Sequence, residues 1–269
     1  MIIENKNFRD RVDVVIEHSI AIVSLNQPQR HNALDFEMFL AIDEVIKRLS
    51  KQRTIRVVIL KGNGASFCSG LDVKAVLAKP INGIKLLWKW LPGNANLAQR
   101  VSVGWRDLKV PVIAVLHGKV WGGGLQIALG ADFRIVEPDT SLSIMEAKWG
   151  LIPDMGGTLA LTELLKVDDA IKLASTAEVI DANCAKKIGL VTEIAEDAFG
   201  RARKLAEQFA AHSPDVVNRI KSFYHSQWSA SRRKILAKET LSQIKIILGK
   251  NQKIAVAKAQ GKDTRPFYD

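Results

Sequence analysis

Strand-length runs of β-branched residues alternate with helical patterns from Val12 to Ile194, and this rhythm limits the folds open to the chain. "VDVVIEH" and "IAIVSLN", separated by Ser19, read as a hairpin or as adjacent strands. "RVVILKG" and "PVIAVLHG" read as buried strands, and "ADFRIVE", "SLSIME" and "LVTEI" as shorter ones. Among the helical patterns, "DFEMFLAIDEVIKRL" places Phe36, Phe39, Leu40 and Ile46 on one face, and Asp35 can cap its start. Strand followed by helix, repeated, predicts an α/β fold of βα or ββα units with a largely parallel core. From about Asp197 only helical patterns remain, broken at Pro214 and Gly249. Such a tail packs either over the core or against a neighbouring subunit.

The bulk properties close off several classes. A chain of 269 residues suits one large α/β domain, or a core with a helical appendage. Its start, "MIIENKNFRD", lacks the apolar core of a signal peptide, and no apolar run is long enough to predict a membrane span. Cys68 and Cys184, like the five histidines, have no metal-ligand spacing, so no metal is expected. A reducing, cytoplasmic location is expected. The formal charge of +11 is compatible with a solvated surface, a phosphate-bearing ligand, nucleic acid or an acidic partner. The densest basic tract, "SRRKILAKETLSQIKIILGK", has Leu241, Ile244, Ile247 and Leu248 on one helical face, with lysines covering the other. The irregular stretch "KPINGIKLLWKWLPGNANLAQ", with Trp88 and Trp90, reads either as a short helix packed by its tryptophans or as a mobile lid over an apolar pocket.

Several familiar motifs fail. Gly122–Gly124 are not followed by Gly-Lys-Ser/Thr, so they form no P-loop, and they are out of register with G-x-G-x-x-G. "GASFC" departs from the nucleophile elbow at Cys68. What remains is one construction used twice. "VVILKG" runs into "NGASFCSGLDVK", and "VIAVLHG" into "KVWGGGLQIALG". Each is a strand, a turn of small residues and a helix start, a geometry that leaves backbone N–H groups unpaired. Two such turns at neighbouring strand ends can aim two donors at one oxygen, as in an oxyanion hole. Downstream, "SIMEAKWGLIPDMGGT" sets Glu146 at the end of an apolar strand and Asp154 before a glycine pair. An acid beside apolar residues tends to a raised pKa, which suits a proton shuttle. Asp154 can equally cap the helix that follows.

At these residues the chain resembles the crotonase, or enoyl-CoA hydratase/isomerase, family. The resemblance rests on "NQPQRHNAL", "GNGASFCSGLDVK", "PVIAVLHGKVWGGGLQIALGADFRI" and "EAKWGLIPDMGGT", in that order and spacing. It implies a crotonase-like spiral of ββα units with the CoA and catalytic site over residues 1–196, and a C-terminal helical trimerisation region over 197–269. It implies acyl-CoA thioesters as substrates, no separate cofactor, and a homo-trimer or a hexamer built as a dimer of trimers. Carried over by position, the oxyanion donors are the N–H groups of Leu71 and Gly123. Arg30, Asn32, Ala33, Asp72 and Lys74 line the CoA channel, and Trp88 and Trp90 fall in the variable region that shapes the acyl pocket.

The departure is Gln126. Hydratases of the family carry a glutamate there and a second one at the Glu146 position, and a glutamine cannot take a proton at neutral pH. Glu146 remains, as in the single-glutamate isomerases, and Asp154 stands where dienoyl-CoA isomerases use an acid. The catalytic set expected from the resemblance is therefore Glu146, Asp154 and Gln126, with double-bond isomerisation favoured. The alternative within the family is hydration through Glu146 alone. An alternative of another class is RNA binding on the same fold, as in one branch of the family. Here the helix around "DEVIKRLSKQR" ends in basic residues but begins with acids, so nucleic acid ranks behind acyl-CoA.

Overall fold

The computed structural model describes residues 4–77, 79–227, 230–262 and 265–269. In chain order the strands are β1 (Glu4–Phe8), β2 (Val12–Glu17), β3 (Ile20–Leu25), β4 (Val57–Gly62), β5 (Val112–Leu116), β6 (Lys119–Trp121), β7 (Phe133–Val136), β8 (Ser141–Ser143), β9 (Ile180–Asp181) and β10 (Glu193–Ile194). The helices are α1 (Phe36–Leu49), α2 (Val73–Leu77), α3 (Pro80–Leu87), α4 (Leu97–Asp107), α5 (Gly123–Leu129), α6 (Thr158–Leu164), α7 (Val167–Thr176), α8 (Ala182–Lys187), α9 (Ala198–Ala210), α10 (Pro214–Gln227), α11 (Arg232–Ile247) and α12 (Lys250–Ala259). None of the described helices is long and apolar enough to cross a membrane.

Seven strands form one sheet in the order β1-β2-β3-β4-β5-β7-β10. The first three are an antiparallel meander, and from β3 onward every pairing is parallel. A smaller sheet, β6-β8-β9, stands beside it. Parallel strands need helical crossovers, which accounts for the strand–helix rhythm of the sequence. Side chains alternate between two cores. Val58 and Leu60 of β4 join Phe39 and Ile42 of α1 and Trp105 of α4, whereas Val57 and Ile59 face Ala198, Ala202 and Ala206 of α9. Asp35 caps α1 by accepting from the Met38 N–H at 2.8 Å.

Some expectations shift. "SLSIME" stops being a strand at Ser143, and "LVTEI" contracts to Glu193–Ile194. β1 was not foreseen, because "ENKNF" has little strand character beyond its last residue. α9 packs on the sheet and completes the core, and among the described residues α10, α11 and α12 follow it. Of those three, α10 is tied down by part-buried Asp132, which meets Lys221 Nζ at 2.8 Å and His225 Nε2 at 2.6 Å. α11 leaves Leu236, Leu241, Ile244 and Ile247 exposed, as is Leu248 just beyond its end, so these apolar residues are not covered by the core of their own chain.

Candidate active site

β4 and β5 are parallel neighbours, so the two small-residue turns that follow them emerge at the same end of the sheet. One parallel bridge, Cys68 to Val120, locks these turns together, and a second, Leu34 to Leu71, ties the first turn to the segment before α1. The Cys68 N–H donates to the Lys119 carbonyl at 3.0 Å, and the Trp121 N–H donates to the Cys68 carbonyl at 3.0 Å. On the far side, the Leu34 N–H donates to the Gly70 carbonyl at 2.8 Å and the Asp72 N–H to the Leu34 carbonyl at 3.1 Å. Gly122 donates its N–H to the Ser143 carbonyl at 2.9 Å. Three of these bonds use a residue next to Leu71 or Gly123, namely Gly70, Asp72 and Gly122. The N–H groups of Leu71 and Gly123 themselves have no acceptor among the described residues. The turns touch: a Cβ built on Gly70 would lie 3.5 Å from the Gly123 nitrogen.

Two glycines of the run answer separate constraints. Gly122 has φ +50°, a region open to glycine and costly for a side chain, and this bend swings the chain from β6 into α5. Gly124 lies against the other turn, where a Cβ would fall 2.4 Å from the Cys68 carbonyl oxygen.

Above the donors is a cavity of about 510 Å³, lined by both turns, by Glu146 and Asp154, and by the apolar side chains of Phe39, Leu86 and Met155. Glu146 opens a 3-10 turn, Glu146–Trp149, rather than closing a strand. Its Oε1 accepts from Gln126 Nε2 at 2.5 Å, while its Oε2 is buried with no partner among the described residues. Burial raises the Glu146 pKa above the usual glutamate range. The Gln126 donation works in the opposite sense, and the nearby charge of Asp154 adds to the rise. Asp154 lines the cavity from its exposed side. It does not cap the next helix: α6 has Gly157 at that position, with no side-chain cap.

Gln126 stands elsewhere than expected. It is 2% exposed and lies behind Glu146, outside the cavity lining. Its Oε1 accepts from the N–H groups of Met155 at 2.9 Å and Gly157 at 3.3 Å. Its Nε2 is spent on Glu146, and the side chain does not line the cavity.

A shallower groove of about 380 Å³ shares Leu71, Val73 and Trp149 with the cavity and continues past Arg30, Ala33 and Asp72. Arg30 is half exposed and paired with buried Asp72, which also accepts from the Ala75 N–H at 3.0 Å. Asn32 is fully buried. Its Nδ2 donates to the carbonyls of Asn63 at 2.9 Å and Ser66 at 2.8 Å, and its Oδ1 accepts from the Gln27 N–H at 2.7 Å. That side chain fixes the first donor turn and is shut off from a ligand by its burial. Lys74 lies on α2, but its side chain falls outside the described residues. Trp88 and Trp90 are 66% and 88% exposed, so they neither pack α3 nor line the cavity. Gly83, Leu86 and Leu87 of the same stretch form that wall. Sequence reasoning missed Trp149, which lines both spaces; its place between Glu146 and Gly150 was the available signal.

Residues 15–257 match the family model described as enoyl-CoA hydratase/isomerase. The Bacillus subtilis (strain 168) protein YngF, named as an enoyl-CoA hydratase/isomerase, is 35% identical over 208 residues, 76% of this chain and 77% of the relative. The crystal structure of an enoyl-CoA hydratase from Mycobacterium tuberculosis H37Rv superposes with a TM-score of 0.82 at 27% identity, covering 95% of this chain and 98% of that one. That of a Bacillus anthracis enoyl-CoA hydratase superposes with a TM-score of 0.85 at 25% identity, covering 96% and 98%.

Proposed function

The chain belongs to the enoyl-CoA hydratase/isomerase family, and we propose that within it this protein moves a carbon–carbon double bond of an enoyl- or dienoyl-CoA thioester. The observation that carries the reading is the pairing of one unpartnered, buried carboxylate oxygen on Glu146 with two free backbone donors in the same cavity. A thioester carbonyl held by the Leu71 and Gly123 N–H groups becomes a better electron sink as an enolate forms. Glu146 takes the proton from the carbon next to the thioester. The electron pair shifts onto the carbonyl oxygen and then back along the chain as a proton is returned further out, by Glu146 or by Asp154. No water is consumed. A neutral amide behind Glu146, in place of a second carboxylate at the cavity, suits this better than water addition, which calls for one group to activate water and another to protonate carbon.

CoA lies in the shallow groove in this reading, with Arg30 toward its phosphates and Ala33 and Asp72 along its path, and Lys74 stays a binding candidate on the resemblance alone. The exposed apolar residues of α11 support assembly as a homo-trimer or a dimer of trimers. The deciding experiment offers 2-enoyl, 3-enoyl and 3,5-dienoyl thioesters to the protein, and reads water gain by mass and double-bond movement by the ultraviolet absorbance of the conjugated thioester. Isomerisation leaves the mass unchanged. Rapid gain of a water by 2-enoyl-CoA, with no double-bond movement in the other two, replaces the reading with hydration through Glu146 alone.

A further inference from the structure

We propose that Gln126 is a positioning residue whose amide fixes which oxygen of Glu146 carries the proton. The inference rests on the reading of Glu146 as the proton carrier and deepens it. A glutamine side chain has two ends that cannot be exchanged, an oxygen that only accepts and a nitrogen that only donates. The Met155 and Gly157 N–H groups, 2.9 and 3.3 Å away, are both donors, so the end facing them is the oxygen. The nitrogen is thereby turned onto Glu146 Oε1, at 2.5 Å. That oxygen accepts from the amide most strongly as the carbonyl oxygen of the neutral acid, because the hydroxyl oxygen of a carboxyl group is the poorer acceptor and its own proton competes for the side facing the N–H. The proton of neutral Glu146 therefore sits on Oε2, the buried oxygen that has no hydrogen-bond partner among the described residues.

The strut is itself held firmly. The Gln126 N–H donates to the Gly122 carbonyl at 3.0 Å, and its carbonyl accepts from the Ser102 hydroxyl. A Cβ on Gly157 would lie 3.0 Å from Gln126 Cγ and 3.2 Å from its Oε1, so the absence of a side chain there leaves room for the amide. A glutamate at 126 would be satisfied by the same two N–H groups, but its second oxygen would then face Glu146 Oε1. Two carboxylate oxygens at that spacing share one proton and titrate as a pair. The amide removes that trap and leaves one acid with one working oxygen. The other charged groups lining the cavity with Glu146 are Asp154 and Lys148.

The test reads the Glu146 carboxyl directly, by difference infrared spectroscopy of its protonated C=O stretch across pH, assigned by its loss in Glu146→Gln. Turnover is followed in parallel. In the parent, one carboxyl titrates in a single step. Gln126→Met keeps the volume and removes the donor to Oε1. The titration, and the acid limb of the rate profile with it, then moves up by about one to two pH units, the worth of a hydrogen bond to a charged group. Gln126→Glu keeps acceptors for Met155 and Gly157, so it carries the test if Gln126→Met does not fold; two coupled steps are expected. An unmoved titration in folded Gln126→Met, or a single unshifted step in Gln126→Glu, overturns the positioning role. Loss of turnover in Glu146→Gln beside an unmoved Gln126→Met titration leaves the functional reading standing and removes only this inference. Normal turnover in Glu146→Gln removes the functional reading, and the infrared result still decides what Gln126 does.

Discussion

Gly124→Ala adds one methyl group at the seam between the two donor turns. The new Cβ would fall 2.4 Å from the Cys68 carbonyl oxygen, 2.8 Å from Cys68 Cβ and 2.9 Å from its sulfur. Ordinary carbon–oxygen contacts are roughly 3.3–3.6 Å, so the turns must part by about 1 Å. The Cys68 carbonyl cannot swing aside cheaply, because it holds the Trp121 N–H at 3.0 Å in the bridge that joins the turns. Overpacking of this kind costs about 1–3 kcal/mol of stability, which lowers Tm by roughly 3–10 °C in a domain of this size. The same displacement separates the Leu71 and Gly123 N–H groups. A misplacement of about 1 Å at reacting groups costs on the order of a hundredfold, close to the ~3 kcal/mol of barrier lost with one oxyanion donor. The assay pairs thermal unfolding with kcat and KM on a thioester that the parent converts. A large fall in kcat in protein that is still folded at the assay temperature is expected. Cys68→Ala in the same chain removes the sulfur contact but not the carbonyl one, so it should not restore the rate. Folded Gly124→Ala turning over within about twofold of the parent would refute the oxyanion argument, and a rate restored by Cys68→Ala would refute the backbone clash as its cause.

Glu146→Gln should lower turnover on the order of a hundredfold or more with thioester binding little changed, measured by steady-state kinetics and by titration with an inert thioester. The same substitution should stabilise the fold at neutral pH. The native Glu146 pKa lies above its unfolded value, so the parent binds more protons folded than unfolded and loses stability as pH rises from the usual glutamate pKa through the native one. Unfolding against pH should therefore show parent and variant converging below that window and diverging above it. Cys68 is buried and its thiol pKa is pushed up to about 12, so Cys184 should react first with a thiol reagent in native protein, and mass spectrometry of partly labelled protein reads the order. CoA-thioester affinity should weaken modestly with salt, and RNA binding should be weak and much more salt-sensitive; tight, sequence-selective RNA binding at physiological salt with no thioester binding would reverse that ranking.

The repeated strand, small-residue turn and helix start was legible because it is local: each turn can be read from a few adjacent residues. The same holds for α1, whose Asp35 cap and apolar face lie within its own segment. Glu146 was legible as an acid in an apolar setting. The placement of Gln126 was not. Its partners, Met155, Gly157 and Glu146, are brought to it by folding, and no spacing rule ties position 126 to 155. Asn32 misled for the same reason. A polar residue in a motif reads as a ligand contact until the carbonyls of Asn63 and Ser66 are seen to occupy it. Trp88 and Trp90 misled because their size suggests burial, whereas the cavity is walled by smaller residues of the same stretch.

The bridges that hold the donor turns have a consequence for how the molecule comes into being. Leu34 meets Leu71, Cys68 meets Val120, and Gly122 meets Ser143, so the two free N–H groups are aimed only after segments far apart in the chain have closed on one another. Contacts of this kind form slowly, because loop closure precedes any gain from them. Helices such as α1, with local caps and local periodicity, can form well before that closure. A nascent chain that has emerged as far as Trp121 therefore holds most of the large sheet and neither an oriented donor pair nor an acid. Competence arrives late and all at once, and a destabilised variant can keep its helical signature while losing the one geometry on which the chemistry depends.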